Sequence, residues 1–373
     1  MDGAPGPPPP SAPGCLKFRR DRSNAFYRAV RARFRDYLKQ TRRSRYGGAR
    51  LAAKGIVLGT LTIGFYAATL AEPGPAWMTL ATALLFGLCA LLFGISIGHE
   101  AAHETAVRSR RLNRVLQFLA FAPLGADAAL WRLRHVKSHH VSPNVSGYDV
   151  DVGENGVVRL SPHQKLHWYN RYQHIYAPFV FWLVDLHSVF VMDLVYVLSG
   201  RMANVAVPRR RPAVMAAFIA QKLAFVSILF LLPWWAMDRP WWHILLGALA
   251  VTFVNSVVFV SMLIGTHHFE EAAYPDAEDG ALGNGWAYHQ LATSMDWSPL
   301  SRLANFVAGG ANAHAAHHLF PNVSHVHYIP ITRIIQQEAA RFGMPYNQCG
   351  LPRMIASHLR HLRRLGSPDS ARG

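Results

Sequence analysis

Residues 76–103 read AWMTLATALLFGLCALLFGISIGHEAAH. No charged side chain interrupts the run before Glu100, and its apolar length exceeds the roughly 20 residues that cross a hydrocarbon core as a helix. It closes on His99 and His103, which at a spacing of four share one helix face. The stretch predicts a membrane span that presents two imidazoles at one end.

Working outward, residues 241–266 repeat the pattern and end at His267 and His268. Residues 214–237 qualify as a span if Lys222 reaches along the helix to the near surface, and residues 55–71 are just long enough. The chain has 373 residues and is 51% apolar, which moves its class from soluble enzyme to integral membrane protein. Between Lys17 and Lys54 lysines and arginines face only Asp21 and Asp36, whereas the short turns 71–76 and 238–240 carry a single arginine, Arg239. Loops rich in Lys and Arg stay on the cytoplasmic side, so the N-terminus is expected inside and the turns outside. Arg108, Arg110, Arg111, Arg114, Arg132, Arg134 and Arg209 to Arg211 fall in segments that the same topology leaves inside.

Two more histidine clusters follow, His135-Val-Lys-Ser-His139-His140 and His314-Ala-Ala-His317-His318. Neutral imidazole is the commonest metal ligand, and a donor set rich in nitrogen without thiolates suits iron, zinc or copper better than calcium or magnesium. Eight histidines exceed what one ion takes, so two neighbouring metals are expected. On helices, His135 with His139 and His314 with His317 and His318 have the spacing to share a face. Two out-and-back hairpins return all three clusters to one side. That parity requires Ile175–Leu198, apolar but interrupted by Asp185, His187 and Asp193, to lie at the interface rather than cross. Either His267 or His268 is a further ligand candidate, in a position that mirrors His103. Glu100, Glu104, Asp149 and Asp151 stand near enough in sequence to orient imidazoles. His163, His167, His174, His289, His325, His327, His358 and His361 lack ligand spacing and read as surface or supporting residues; His243 sits near the outer surface.

The tails carry less. Residues 2–13, DGAPGPPPPSAP, are too poor in apolar residues to pack, and residues 1–22 are expected to be disordered. From Ser23, Phe26, Val30, Phe34, Tyr37 and Leu38 recur at helical spacing among arginines, which predicts a basic helix resting on the anionic inner leaflet. Cys15, Cys89 and Cys349 are isolated and lack metal or redox spacing. The first hydrophobic run starts too late and is too long for a cleavable signal.

Competing motifs exist. His99-Glu100-Ala-Ala-His103 is a literal H-E-x-x-H, which would suit an intramembrane zinc protease with Asp279-Gly280 supplying a third ligand, but Asp279 lies in a polar loop and the other two clusters would stand idle. A metal transporter would place its sites near the bilayer midplane, whereas these clusters lie at or beyond span ends. Glu100-x-x-His103 also occurs in di-iron bundles, which need a second such unit; none follows.

Taken together, the three clusters resemble the histidine boxes of the membrane fatty acid desaturase and hydroxylase superfamily. Around them, Trp131-Arg-Leu-Arg-His135, Asn144-x-x-Gly147-x-Asp149-x-Asp151, Arg159-Leu-Ser-Pro162, Arg171-Tyr-Gln-His174-Ile-Tyr176 and Gly309-Gly-Ala-Asn312-x-His314-Ala-Ala-His317-His318-Leu-Phe-Pro-Asn322-Val-Ser-His325-Val-His327-Tyr328 are similar to acyl-lipid desaturases. The resemblance covers roughly residues 23–365. It implies a non-haem di-iron centre with His99, His103, His135, His139, His140, His267, His314, His317 and His318 as ligands, His267 being chosen over His268. Glu100, Asp149, Asp151 and Asn312 become candidates for supporting roles, and no catalytic residue beyond the ligands is implied. The implied reaction uses dioxygen to leave a cis double bond in a fatty acyl chain; hydroxylation by the same superfamily is the alternative. Three departures stand out. His314 occupies a position where front-end desaturases usually have glutamine, no cytochrome b5 domain with His-Pro-Gly-Gly is present, and Leu263 stands where known structures have a water-holding asparagine.

Electrons are therefore expected from a separate ferredoxin or cytochrome b5 type donor. The net charge of +17 suits such acidic partners, as it suits phospholipid heads. The substrate is a fatty acyl lipid, acyl-CoA or acyl carrier; nucleic acid is not expected. The overall expectation is an all-α integral membrane protein. Four transmembrane helices in two hairpins would carry a cytoplasmic helical cap with the histidine-rich di-metal site, and both termini would be cytoplasmic. Residues 1–22 would form a tail, 23–54 a basic amphipathic segment, 55–366 the desaturase domain and 367–373 a C-terminal tail.

Overall fold

The computed structural model describes residues 16–371 apart from 73, 154 and 209–211; the whole Pro-rich stretch 2–13, Cys15 and Arg209–Arg211 thus lie outside the described residues. Helices α1 (Ser23–Gln40), α2 (Gly48–Leu70) and α3 (Ala76–Ala102) lead into a shorter α4 (Arg110–Phe121). Helix α5 (Ala128–Arg132) continues into π-helical turns at Leu133–His139. Then come α6 (Trp168–Phe181), α7 (Val184–Ser199), α8 (Pro212–Ala236) and α9 (Trp241–Thr266). The chain closes with α10 (Trp286–Ala292), α11 (His314–Leu319), α12 (Tyr328–Phe342) and α13 (Leu351–Leu365).

Four helices, α2, α3, α8 and α9, are long and apolar enough to cross a membrane. Only 11–39% of each is buried within the protein, so most of their apolar surface needs a non-aqueous neighbour. Trp77, Trp234, Trp235, Trp241 and Trp242 are exposed at the helix ends remote from the histidines, the amphipathic belt that a membrane–water boundary favours. Helix α2 begins at Gly48, well ahead of the expected start at residue 55. Its added turns contain Lys54, buried with its ammonium donating to the Phe306 carbonyl.

Lys222 does not reach for the surface. Its Nζ pairs with Asp193 Oδ2 at 2.6 Å and donates to the Gly125 carbonyl at 2.7 Å; a buried charge is tolerated when paired and hydrogen-bonded. The segment Ile175–Leu198 falls in α6 and α7, bent by 75° at their junction. Such a break suits the polar groups it carries, because Asp193 serves Lys222 and the Asp185 backbone N–H donates to Ser256.

Around the histidine-bearing end the core is protein on protein, which corrects two expectations. Phe26, Val30 and Phe34 of α1 are buried with Leu319, Ile331 and Ile335 of α11 and α12, so the apolar face of the basic helix covers the chain itself and its polar and charged residues, arginines among them, face outward. Residues 16–22 are also packed rather than part of a loose tail: Lys17–Phe18 pairs in parallel with Ala281–Leu282, and Leu16 is buried beside Val145, Tyr148 and Leu282. Five histidines read as surface or supporting residues, His289, His325, His327, His358 and His361, are buried. Phe26→Ala should lower stability by about 3–5 kcal/mol, seen as a fall in the thermal unfolding midpoint of the solubilised protein, whereas Arg28→Ala on the exposed face should leave that midpoint within error.

Candidate metal centre

Each box reaches the centre by a different backbone device. The first sits on the last turns of α3, directly after one π-helical turn at Gly94–Gly98. The second lies on the π-helical turns after α5, where the wider coil brings residues five apart together. Hence His135 meets His140, Nε2 to Nε2 at 3.1 Å, while His139 turns to the other side. The third sits on α11, after Gly309 and Gly310 at φ +57° and +86°. A Cβ at position 310 would fall 2.3 Å from His325 Cβ, so both the backbone conformation and the close approach require glycine there.

Two groups result. His99, His103, His135 and His317 form one, with possible ligand atoms within 4.8 Å of one another, and His140 joins it with its Nε2 2.8 Å from His317 Nε2. His139, His267, His314 and His318 form the other within the same limit. The first group is partly exposed and the second is buried throughout. Shared faces within the second and third boxes, expected from α-helical spacing, do not occur as such: His135 and His139 serve different groups, as do His317 and its neighbours His314 and His318.

The outer ring nitrogens are held by the protein. His267 Nδ1 donates to the Thr293 carbonyl at 2.7 Å and His314 Nδ1 to the Ala311 carbonyl at 3.2 Å. His318 Nδ1 lies 2.9 Å from Gln290 Oε1, His317 Nδ1 3.2 Å from the Tyr328 hydroxyl, and His139 Nδ1 3.2 Å from Asp149 Oδ2. A neutral imidazole that donates from Nδ1 presents a lone pair at Nε2. His267 and His314 therefore point two lone pairs at each other across 2.6 Å. Burial foremost, and then repulsion from neighbouring imidazoles, holds His103, His135, His140, His267, His317 and His318 well below the usual imidazole range. His314 is pushed down to about 3, again chiefly by burial. His139 differs: burial lowers it, but Asp149 and Asp151 carry it above its ordinary value. A set of converging, neutral nitrogen lone pairs fits divalent transition-metal ions and little else. His103 Nε2, buried and without a hydrogen-bond partner, completes that fit.

The supporting candidates divide. Asp149 and Asp151 both lie beside His139 Nδ1, at 3.2 and 3.4 Å. Glu100 touches no imidazole of the two groups; its carboxylate accepts from the His325 backbone N–H at 2.6 Å, from His325 Nδ1 at 2.7 Å and from Thr105 Oγ1 at 2.6 Å. Its carboxylate is thus turned to His325 and Thr105 rather than to the histidine groups, and Asp279 belongs to neither group. Asn312 donates to the Ser298 carbonyl rather than to a histidine. His268 turns away from its neighbour, its Nδ1 2.8 Å from the Tyr274 hydroxyl.

Several contributors were not singled out by the sequence, although Trp131 and Ala311 lie inside the motifs quoted above. Thr293 and Gln290 act through a carbonyl and an amide outside any motif, and Ala311 through a carbonyl that its motif does not mark as functional. Trp131, next to the second box, lays its ring over His135 with centroids 4.4 Å apart. Asp296 accepts from Ala315 N–H at 2.8 Å and from the Tyr346 hydroxyl at 2.6 Å, which pins α11 from behind.

Residues 75–350 match the fatty acid desaturase family. The chain belongs to that family. It is 29% identical to the acyl-lipid (8-3)-desaturase of Physcomitrium patens over 91% of this chain and 72% of that protein. It is also 29% identical to the sn-1 linoleoyl-lipid 6-desaturase of Synechocystis sp. over 76% and 79%, and 28% identical to the acyl-lipid (8-3)-desaturase of Mortierella alpina over 83% and 71%. This desaturase is thus an oxidoreductase of fatty acid metabolism with apolar membrane helices and metal-competent histidine groups. His267→Ala should lose activity and part of the bound metal, and His268→Ala should keep a substantial fraction of both, as measured by product analysis and metal content at equal membrane insertion. The reverse pattern would place the ligand one residue later.

Proposed function

We propose that this desaturase is a dioxygen-dependent acyl-lipid desaturase whose two imidazole groups hold two non-haem iron ions. The observation that carries this reading is two adjoining groups of converging imidazoles in a chain of the desaturase family. His99, His103, His135, His140 and His317 would hold one ion; His139, His267, His314 and His318 would hold the other. Bound iron would supply the activation of dioxygen and the removal of two hydrogens from unactivated methylenes to leave a cis double bond. The chain's own part is positional. Thr293, Ala311, Gln290, Tyr328 and Asp149 fix ring orientation through Nδ1, burial keeps water from the second group, and the partly exposed first group faces the approach open to substrate. No side chain is needed as a general base, because no carboxylate or imidazole has the basicity to deprotonate an alkyl chain.

The names of the relatives support a lipid-linked acyl chain as the substrate class, ahead of acyl-CoA or an acyl carrier protein. The arginine-rich segments support a topology in which α2 with α3 and α8 with α9 cross out and back, leaving both termini and the centre cytoplasmic. The desaturase domain would run over residues 55–366, with the packed segment before it part of the same body. Electrons would come from a separate acidic ferredoxin or cytochrome b5 type protein, attracted by the net charge of +17.

Two measurements test the reading. Protein purified from iron-replete cells should hold about two iron per chain and little zinc, the loading implied by two all-nitrogen groups; one zinc and no iron would overturn it. Expression in a host of simple lipid profile should give a new double bond located by mass spectrometry, and His317→Ala or His318→Ala should abolish it while membrane insertion is unchanged. A hydroxylated product would shift the assignment to the other branch of the superfamily, and full activity in both variants would end it.

A further inference from the structure

Helix α4 divides its apolar residues: Ala120, Phe121 and the half-buried Leu116 face the protein, and three others face out. Its face against the protein carries Asn113 and Gln117, 0% and 1% exposed, while Leu112, Val115 and Leu119 stand 46%, 53% and 58% exposed. The buried polar residues are fully used. Asn113 Nδ2 donates to the Val107 carbonyl at 2.7 Å and to the Ser109 carbonyl at 3.0 Å, and its Oδ1 accepts from the Val107 N–H. Gln117 donates to the Ala128 carbonyl at 2.9 Å and accepts from Arg132 at 2.8 Å. These bonds and the packing of Ala120 and Phe121 fix the helix in an orientation that leaves Leu112, Val115 and Leu119 outward.

At about 100° per residue, Leu112, Val115 and Leu119 fall within about 60° of one another, and Arg111 and then Arg114 border that stripe. Both arginines are exposed, and no described carboxylate pairs with either; Glu104 is taken by Arg110 at 3.2 Å and Arg132 at 3.6 Å. The place of α4 in the fold says what covers the stripe. The helix lies across the histidine-bearing end of α3, so close that a Cβ on Gly98 would fall 2.5 Å from Phe121 and one on Gly94 2.4 Å from Leu124. The turn that follows it, Ala122–Leu124, then packs on α8. An apolar stripe edged with unpaired guanidinium groups, at the ends of two membrane-competent helices, matches the boundary between acyl chains and anionic headgroups.

We propose that α4 is a lipid-docking surface: Leu112, Val115 and Leu119 enter the acyl region of the leaflet, and Arg111 and Arg114 bind the phosphate of an anionic phospholipid. The proposal rests on the membrane reading above and deepens it. Because α4 packs on the helix that carries His99 and His103 and is tied through Gln117 to Arg132, just ahead of the second box, the bound lipid surface braces two of the three boxes.

The test uses full-length desaturase in nanodiscs, with Cys15 and Cys349 changed to Ser, Cys89→Ala, and a fluorescent probe on Val115→Cys or, as a second exposed site, Leu112→Cys. With chain-spin-labelled phospholipids, the probe should be blue-shifted relative to water and quenched at least twofold more by labelled phosphatidylglycerol than by labelled phosphatidylcholine. Arg111→Gln with Arg114→Gln should abolish that preference while insertion is unchanged, and inorganic phosphate should not compete. A water-like probe in an inserted protein would overturn the docking surface alone. Equal quenching by both lipids, or competition by free phosphate, would overturn the anionic headgroup assignment. Failure of the chain to insert at all would instead sink the membrane reading on which the proposal stands.

Discussion

Everything else in this desaturase answers to one electrostatic problem, the crowding of neutral imidazole lone pairs. His267 and His314 oppose each other across 2.6 Å, and His140 and His317 across 2.8 Å. Such pairs repel unless a cation lies among them, so the surrounding structure must hold them where they do not go by themselves. That explains the density of restraints behind the rings: carbonyls, an amide, a phenol and a carboxylate at Nδ1, the glycine pair ahead of α11, and Asp296 behind Ala315. Burial raises the Asp296 carboxyl to about 6 despite its hydrogen bonds, a cost consistent with a residue kept for position.

The membrane-competent helices and the soluble-side core share the work differently from what a simple division suggests. Helices α2, α3, α8 and α9 bury little of their surface in the protein and serve as a frame. The three boxes instead meet where α1, α11, α12 and α13 close over them, and that closure depends on ordinary hydrophobic packing, with Phe26, Ile331, Met354 and Leu362 fully buried. Lys54, Glu100 and His325 tie the two parts together, a cation, a carboxylate and an imidazole drawn from α2, the first box and the segment after the third.

Much of this was legible in the sequence, for a physical reason in each case. Spans show because lipid demands long uninterrupted apolar runs, and the earlier start of α2 takes in Lys54, whose partner, the Phe306 carbonyl, composition does not display. The boxes show because ligands must recur in type. Their assignment to two groups did not show: it depends on a π-helical turn that shifts His140 rather than His139 onto the face of His135, and no residue pattern marks that turn. The packing of α1 was misread for a related reason, since an amphipathic pattern reports that a face is covered and is silent about whether lipid or protein covers it. Lys222 was misjudged because its partner, Asp193, comes from a segment whose own path was ambiguous.

His139 and His140 are joined by a single peptide bond yet face different groups, and His317 and His318 repeat the arrangement on α11. Each of these two dipeptides is a splice between the halves of the centre. A shift of either backbone by a fraction of an ångström moves a ring in both groups at once, so neither half is a separate module that evolution or an engineer can retune alone. On the two-ion reading proposed above, filling one half would also position a ring of the other, so the two loadings would be coupled rather than independent.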